Sequence, residues 1–131
     1  MKIIKHTFEA AIPTVYVEAA SFPEGIRPAF DELCGGLKMQ GRTLYGVTER
    51  MNGKWVYRAC ATDLGDNPQL PRYNIPAGKY LAYVLPDWEK HMPMIGQYFE
   101  WLLEHPDAKA DTIALEYYKT MDEVWLMVQH K

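Results

Sequence analysis

Residues Thr43 to Thr62 read TLYGVTER-MNG-KWVYRACAT, and residues Ile113 to Gln129 read IALEYYK-TMDE-VWLMVQ. Each stretch is a pair of strand-like runs joined by a short turn. The Asn52-Gly53 dipeptide in the first is among the strongest hairpin signals a sequence offers. Working outward, both hairpins have the same prelude. Ile12 to Ala19 alternates as a strand, with Val15, Val17 and Ala19 on one face and Tyr16 and Glu18 on the other. Ser21-Phe22-Pro23-Glu24 has the spacing of a capping box, and Ile26, Phe30, Leu33 and Leu37 then fall at helical intervals. Pro28 lacks a backbone donor, so the helix is expected to start later than the box suggests. In the second half, the turn Ile75-Pro76-Ala77-Gly78 introduces a strand over Lys79 to Leu85. Ile95, Tyr98, Phe99 and Leu102 then mark an amphipathic helix ending near His105-Pro106.

The order strand, helix, strand, strand therefore occurs twice, and the match extends to residues. Tyr16 and Tyr80 open the two units, and Phe30 with Leu33 corresponds to Phe99 with Leu102. Trp55 follows Leu44-Tyr45 much as Trp125 follows Leu115-Glu116. The expectation is a duplicated unit of about 55–60 residues: repeat one over 12–63, a polar connector over 63–71, and repeat two over 72–129. Layer packing makes this an α+β fold, a tandem βαββ repeat. Its antiparallel sheet would carry both helices on one face, the other being exposed or shaped into a cleft.

Bulk properties exclude several classes. The 131 residues are 48% hydrophobic and carry a net charge of -3 with no run of Lys or Arg, which disfavours direct nucleic-acid binding. The N-terminal apolar run is too short for a signal peptide and no stretch suits a membrane helix, so a cytoplasmic location is expected. Cys34 and Cys60 stand apart, outside any CxxC pattern, and read as reduced thiols. His6, His91, His105 and His130 are scattered, so neither metal nor cofactor is expected.

For a site, alternation suggests that Leu44 and Leu115 face the helices, with Tyr45 and Glu116 at equivalent positions on the opposite face. The expected groove is walled by Tyr45, Trp55, Tyr118 and Trp125, with Trp101 at its edge and Glu116 within. An ionised carboxylate among aromatics attracts a cation, and a desolvated one can act as a general acid or base, with Tyr45 as helper. Periodicity alone is equally served by a solvent-facing Glu116 and core aromatics.

Several pieces resemble the GyrI-like, or AraC effector-binding, family. They are Ile75-Pro76-Ala77-Gly78-Lys79-Tyr80, Trp101-Leu102, Leu115-Glu116-Tyr117-Tyr118 and Val124-Trp125-Leu126-Met127-Val128. The first half is similar more loosely, through Phe30-x-x-Leu33, Leu44-Tyr45-Gly46 and Trp55 to Ala61. The resemblance spans nearly the whole chain and implies a ligand cleft between the repeats, in a small-molecule-binding domain for amphipathic, aromatic, often cationic ligands. Glu116 matches the family's acidic residue of the penultimate strand. Members also include sensor domains of transcription regulators, gyrase inhibitors and hydrolases of cyclopropane-bearing toxins. A toxin hydrolase using Glu116 and a protein that docks on gyrase or a regulator therefore stand as alternatives, and a homodimer is compatible. No helix-turn-helix segment fits before Ile12, so a complete DNA-binding regulator is not expected.

Overall fold

The computed structural model describes residues 2–21 and 24–131. Its strands are β1 (Ile3–Phe8), β2 (Ile12–Glu18), β3 (Leu44–Met51), β4 (Lys54–Thr62), β5 (Arg72–Ile75), β6 (Gly78–Pro86), β7 (Ala114–Tyr118) and β8 (Glu123–Gln129). Helix α1 spans Ile26–Gly35 and α2 spans Ile95–Leu103, the latter preceded by a 3₁₀ segment over Trp88–Met94. The strands form one curled, eight-stranded antiparallel sheet in the order β1-β6-β8-β7-β3-β4-β2-β5. Two βαββ units are thus joined edge to edge, β3 against β7.

The hairpins form where the sequence placed them. Asn52 and Gly53 both take positive φ, 52° and 78°, the backbone a two-residue loop needs to match strand twist. Helix α1 begins after Gly25, which donates no side-chain cap, and Pro28 sits in the first turn, where a missing N–H costs nothing. The capping box at Ser21-Phe22-Pro23-Glu24 includes Phe22 and Pro23, which lie outside the described residues. Each helix is seated by one fully buried leucine, Leu33 in α1 and Leu102 in α2.

Two edge strands were not anticipated. β1 precedes β2 in the chain but pairs with β6, while β5 precedes β6 but pairs with β2. Each unit thereby lends its leading strand to the edge of the other, which ties the halves together.

The two faces of the sheet are both buried, in different ways. On one face α1 packs on Tyr57, Ala59 and Ala61, and α2 packs on Leu81, Leu126 and Val128. On the other, the curl lets Tyr45, Val47, Tyr80, Leu115, Trp125 and Met127 fill the hollow themselves. Among the described residues no helix is long and apolar enough to cross a membrane.

Candidate functional site

At the middle of the sheet, β3 and β7 pair from Leu44 opposite Tyr118 to Thr48 opposite Ala114, with Gly46 facing Glu116 at the centre of the ladder. Leu44 and Tyr118 pack with the two helix-side clusters, so Gly46 and Glu116, two residues along their strands, share that face. Helix α1 lies over β2 and β4, and α2 over β6 and β8. The strip over β3 and β7 is consequently a gap between the helices. Glu116 stands in its floor.

The carboxylate is held by two phenols. The Tyr57 hydroxyl donates to Glu116 Oε1 at 2.5 Å, and the Tyr118 hydroxyl donates to the same oxygen at 3.3 Å. Among the described residues Oε2 accepts no hydrogen bond, and no cation forms an ion pair with Glu116. Gly46 makes the arrangement possible. A Cβ there would fall 2.1 Å from the Tyr57 hydroxyl and 2.2 Å from Glu116 Oε1. Aromatic rings close one end of the gap: Phe30 lies 6.2 Å from Tyr57 and 6.0 Å from Tyr118, and Trp88 lies 5.3 Å from Tyr118, all edge-on.

Burial raises the Glu116 carboxyl above its usual range, and the two phenolic hydrogen bonds offset only part of that rise. Tyr57 and Tyr118 are pushed well above the ordinary phenol value by burial first and by the Glu116 charge second. The phenols stay protonated as donors, and the carboxyl keeps its proton to higher pH than an exposed one would.

The other end of the gap is open. A cavity of ≈ 460 Å³ lies there, lined by Thr48, Arg50, Trp55, Leu103, Asp111, Thr112 and Ala114 among others. Its Thr48 and Ala114 walls are one same-face step along the strands from Gly46 and Glu116. Glu116 itself is not part of its lining, so the carboxylate sits just inward of this cavity.

The single groove expected from the sequence is therefore redistributed. Tyr118 does lie with Glu116. Tyr45 and Trp125 lie on the helix-free face, where Tyr117 stacks on Tyr45 at 5.3 Å and tilts against Trp125 at 5.9 Å. Leu115 is on that face too, opposite Val47, contrary to the expected sorting. The reason is that both faces are apolar, so a leucine in a central strand does not identify the helix side. Trp55 shares the helix-bearing face but stands at the open mouth, 60% exposed. Trp101 packs on Tyr98, which packs on Tyr83 of β6, so it points to the β6 side of α2 and not toward β7. Tyr57, Trp88 and Gly46 were missed. A glycine in the middle of a strand was the available signal, since it marks close approach of other atoms.

A second buried charge clarifies the first. Arg58, on the helix-free face, is paired with Glu49 and lies over the rings of Tyr16 at 5.3 Å and Tyr73 at 4.8 Å. The fold thus contains one occupied cage of carboxylate and aromatic rings around a cation. Among the described residues no group of three or more His, Cys, Asp or Glu side chains could hold a metal ion.

No family model matches the chain, and no curated protein matches it by sequence. Its fold is nevertheless found among solved structures. An integron cassette protein from the mobile metagenome of Vibrio cholerae aligns over 98% of this chain and 95% of its own, with a TM-score of 0.70 at 14% identity. SAV2435, solved bound to tetraphenylphosphonium, aligns over 98% and 94%, with a TM-score of 0.66 at 13% identity. A candidate bacterial transcription regulation protein from Staphylococcus aureus MU50 aligns over 98% and 99%, with a TM-score of 0.61 at 13% identity. These likenesses, each spanning nearly the full length of both chains, place the architecture in one structural group, consistent with the GyrI-like fold.

Proposed function

We propose that the protein binds amphipathic aromatic cations in the gap between its helices, with Glu116 as the counter-charge. The carrying observation is a partly buried carboxylate at the centre of the sheet, walled by aromatic rings, with one oxygen unengaged and no cation beside it among the described residues. Desolvating a carboxylate is unfavourable, so its retention in such a place makes sense where a ligand supplies the missing charge. The rings of Tyr118, Phe30 and Trp88 would add cation–π and stacking contacts of about 0.5–2 kcal/mol each. Arg58 in its own cage displays the same chemistry within this molecule. SAV2435, which shares the fold, was solved with a cation of this class.

Calorimetric titration with tetraphenylphosphonium tests the proposal. Wild type is expected to bind, with affinity falling at least tenfold in Glu116→Gln, a change that keeps the acceptor for Tyr57 while removing the charge. Equal affinity in the two proteins would refute the role given to Glu116.

A second reading rests on the 2.5 Å contact between Tyr57 and Glu116. A phenol and a carboxyl with raised proton affinity could together move a proton during hydrolysis of a strained electrophile. Turnover of a cyclopropane-bearing substrate by wild type and not by Glu116→Gln would favour it over binding alone.

A further inference from the structure

The cavity at the open end of the groove has features that Glu116 does not explain. Trp55 lines it and is 60% exposed, an unusual position for a large ring. The Arg50 guanidinium sits over the indole, 5.5 Å from its centroid. The guanidinium thus lies against the indole, and both side chains line the cavity. Neither Arg50 nor Asp111, the two opposite charges lining the space, forms an ion pair among the described residues. Glu49 is committed to Arg58, and the Thr112 hydroxyl is committed to backbone at Ile113 and Gln129. The mouth is therefore near neutrality and offers a ring face rather than a charge.

Spacing connects the mouth to the carboxylate. Gly46 is opposite Glu116, and Arg50, four steps along β3 from Gly46, is opposite Trp55. At the strand rise of about 3.3 Å per residue, that separation is ~13 Å. The cavity's ≈ 460 Å³ lies within the range of small-molecule sites.

We propose that Trp55 forms a second subsite for a flat aromatic ring, so that the preferred ligand is an elongated cation with its charge at Glu116 and a ring system roughly 13 Å away. This rests on the proposed binding of cations at Glu116. The near-neutral mouth offers no net counter-charge to a second cation, so the distal group is neutral. Stacking of a ring on an aromatic side chain raises affinity by roughly 5- to 150-fold.

Two phosphonium probes separate the subsites: hexyltriphenylphosphonium, and the same ion carrying a naphthalene ring at the end of the hexyl chain. Wild type should bind the naphthyl probe about tenfold more tightly. Trp55→Ala should abolish that difference while leaving the hexyl probe unaffected, and Glu116→Gln should weaken both. Trp55 is exposed, so its replacement leaves the core intact. The subsite is overturned if the naphthalene ring brings no gain, or if the gain survives in Trp55→Ala. Should Glu116→Gln leave the hexyl probe unchanged, the failure lies with the charged site, and the elongated ligand falls with it.

Discussion

Arg58 and Glu116 reach into this fold from opposite faces of the sheet, and they are treated in opposite ways. Arg58 is closed in, with Glu49 as counter-ion and Tyr16 and Tyr73 against its guanidinium plane. Glu116 has rings and phenols around it and lacks the counter-ion among the described residues. The first arrangement has its counter-ion within the chain, although Arg58 Nε has no hydrogen-bond partner among the described residues. The second is incomplete, and completing it from outside is a binding event. What separates structure from site here is charge balance, since aromatic rings are abundant on both faces.

Four substitutions probe this difference in charge balance, in descending order of effect. Glu49→Ala leaves Arg58 buried and uncompensated, and should destabilise the protein by about 3 kcal/mol in denaturant titrations. Tetraphenylphosphonium binding at Glu116 should be unchanged, because Glu49 borders only the mouth of the groove and is engaged by Arg58. Gly46→Ala drives a methyl group into the Tyr57 hydroxyl and Glu116 Oε1, and should cost about 1–3 kcal/mol. Unlike the first change, it should also abolish tetraphenylphosphonium binding, because it displaces the groups that form the site.

Glu116→Gln should act with the opposite sign on stability. Burial holds the Glu116 carboxyl protonated to higher pH in the folded protein than in the unfolded chain. Its contribution is thus full at low pH, below the unfolded carboxyl range, and is lost as pH rises through the folded value. The glutamine protein should therefore melt at a higher temperature than wild type near pH 8, with the gap closing toward ~pH 4. Cation affinity in wild type should rise with pH over the same range, as the carboxyl ionises, and be flat in the mutant.

Tyr57→Phe is the smallest change. It removes one of the two hydrogen bonds that favour the ionised carboxylate. The midpoint of the pH dependence of binding should move upward, with a stability cost of about 1 kcal/mol.

Much of the fold was legible because its signals are local. Asn52-Gly53 fixes one hairpin, the spacing of Phe30 and Leu33 repeats at Phe99 and Leu102, and the duplication predicts how two units assemble. The edge strands β1 and β5 were not read, because their pairing crosses between repeats and leaves no trace in nearby sequence. Trp88, in a 3₁₀ segment with no strong period, was missed for a similar reason. The site residues were sorted onto faces by assuming one apolar and one polar side. That assumption fails for a curled sheet buried on both sides, and so Tyr45 and Trp125 were grouped with Glu116 although they lie behind it. The better clue was asymmetry between the repeats. Where β7 has Glu116, its neighbour in β3 has Gly46, and two facing carboxylates would have repelled each other.

The most direct test of the central claim is chemical-shift mapping by NMR during titration with tetraphenylphosphonium. The largest changes should fall on Gly46, Tyr57, Glu116 and Tyr118, with the Glu116 side-chain carboxyl moving toward its ionised position as the cation binds. Changes centred on Tyr45, Tyr117 and Trp125, with the Glu116 carboxyl unmoved, would place binding on the other face and contradict it.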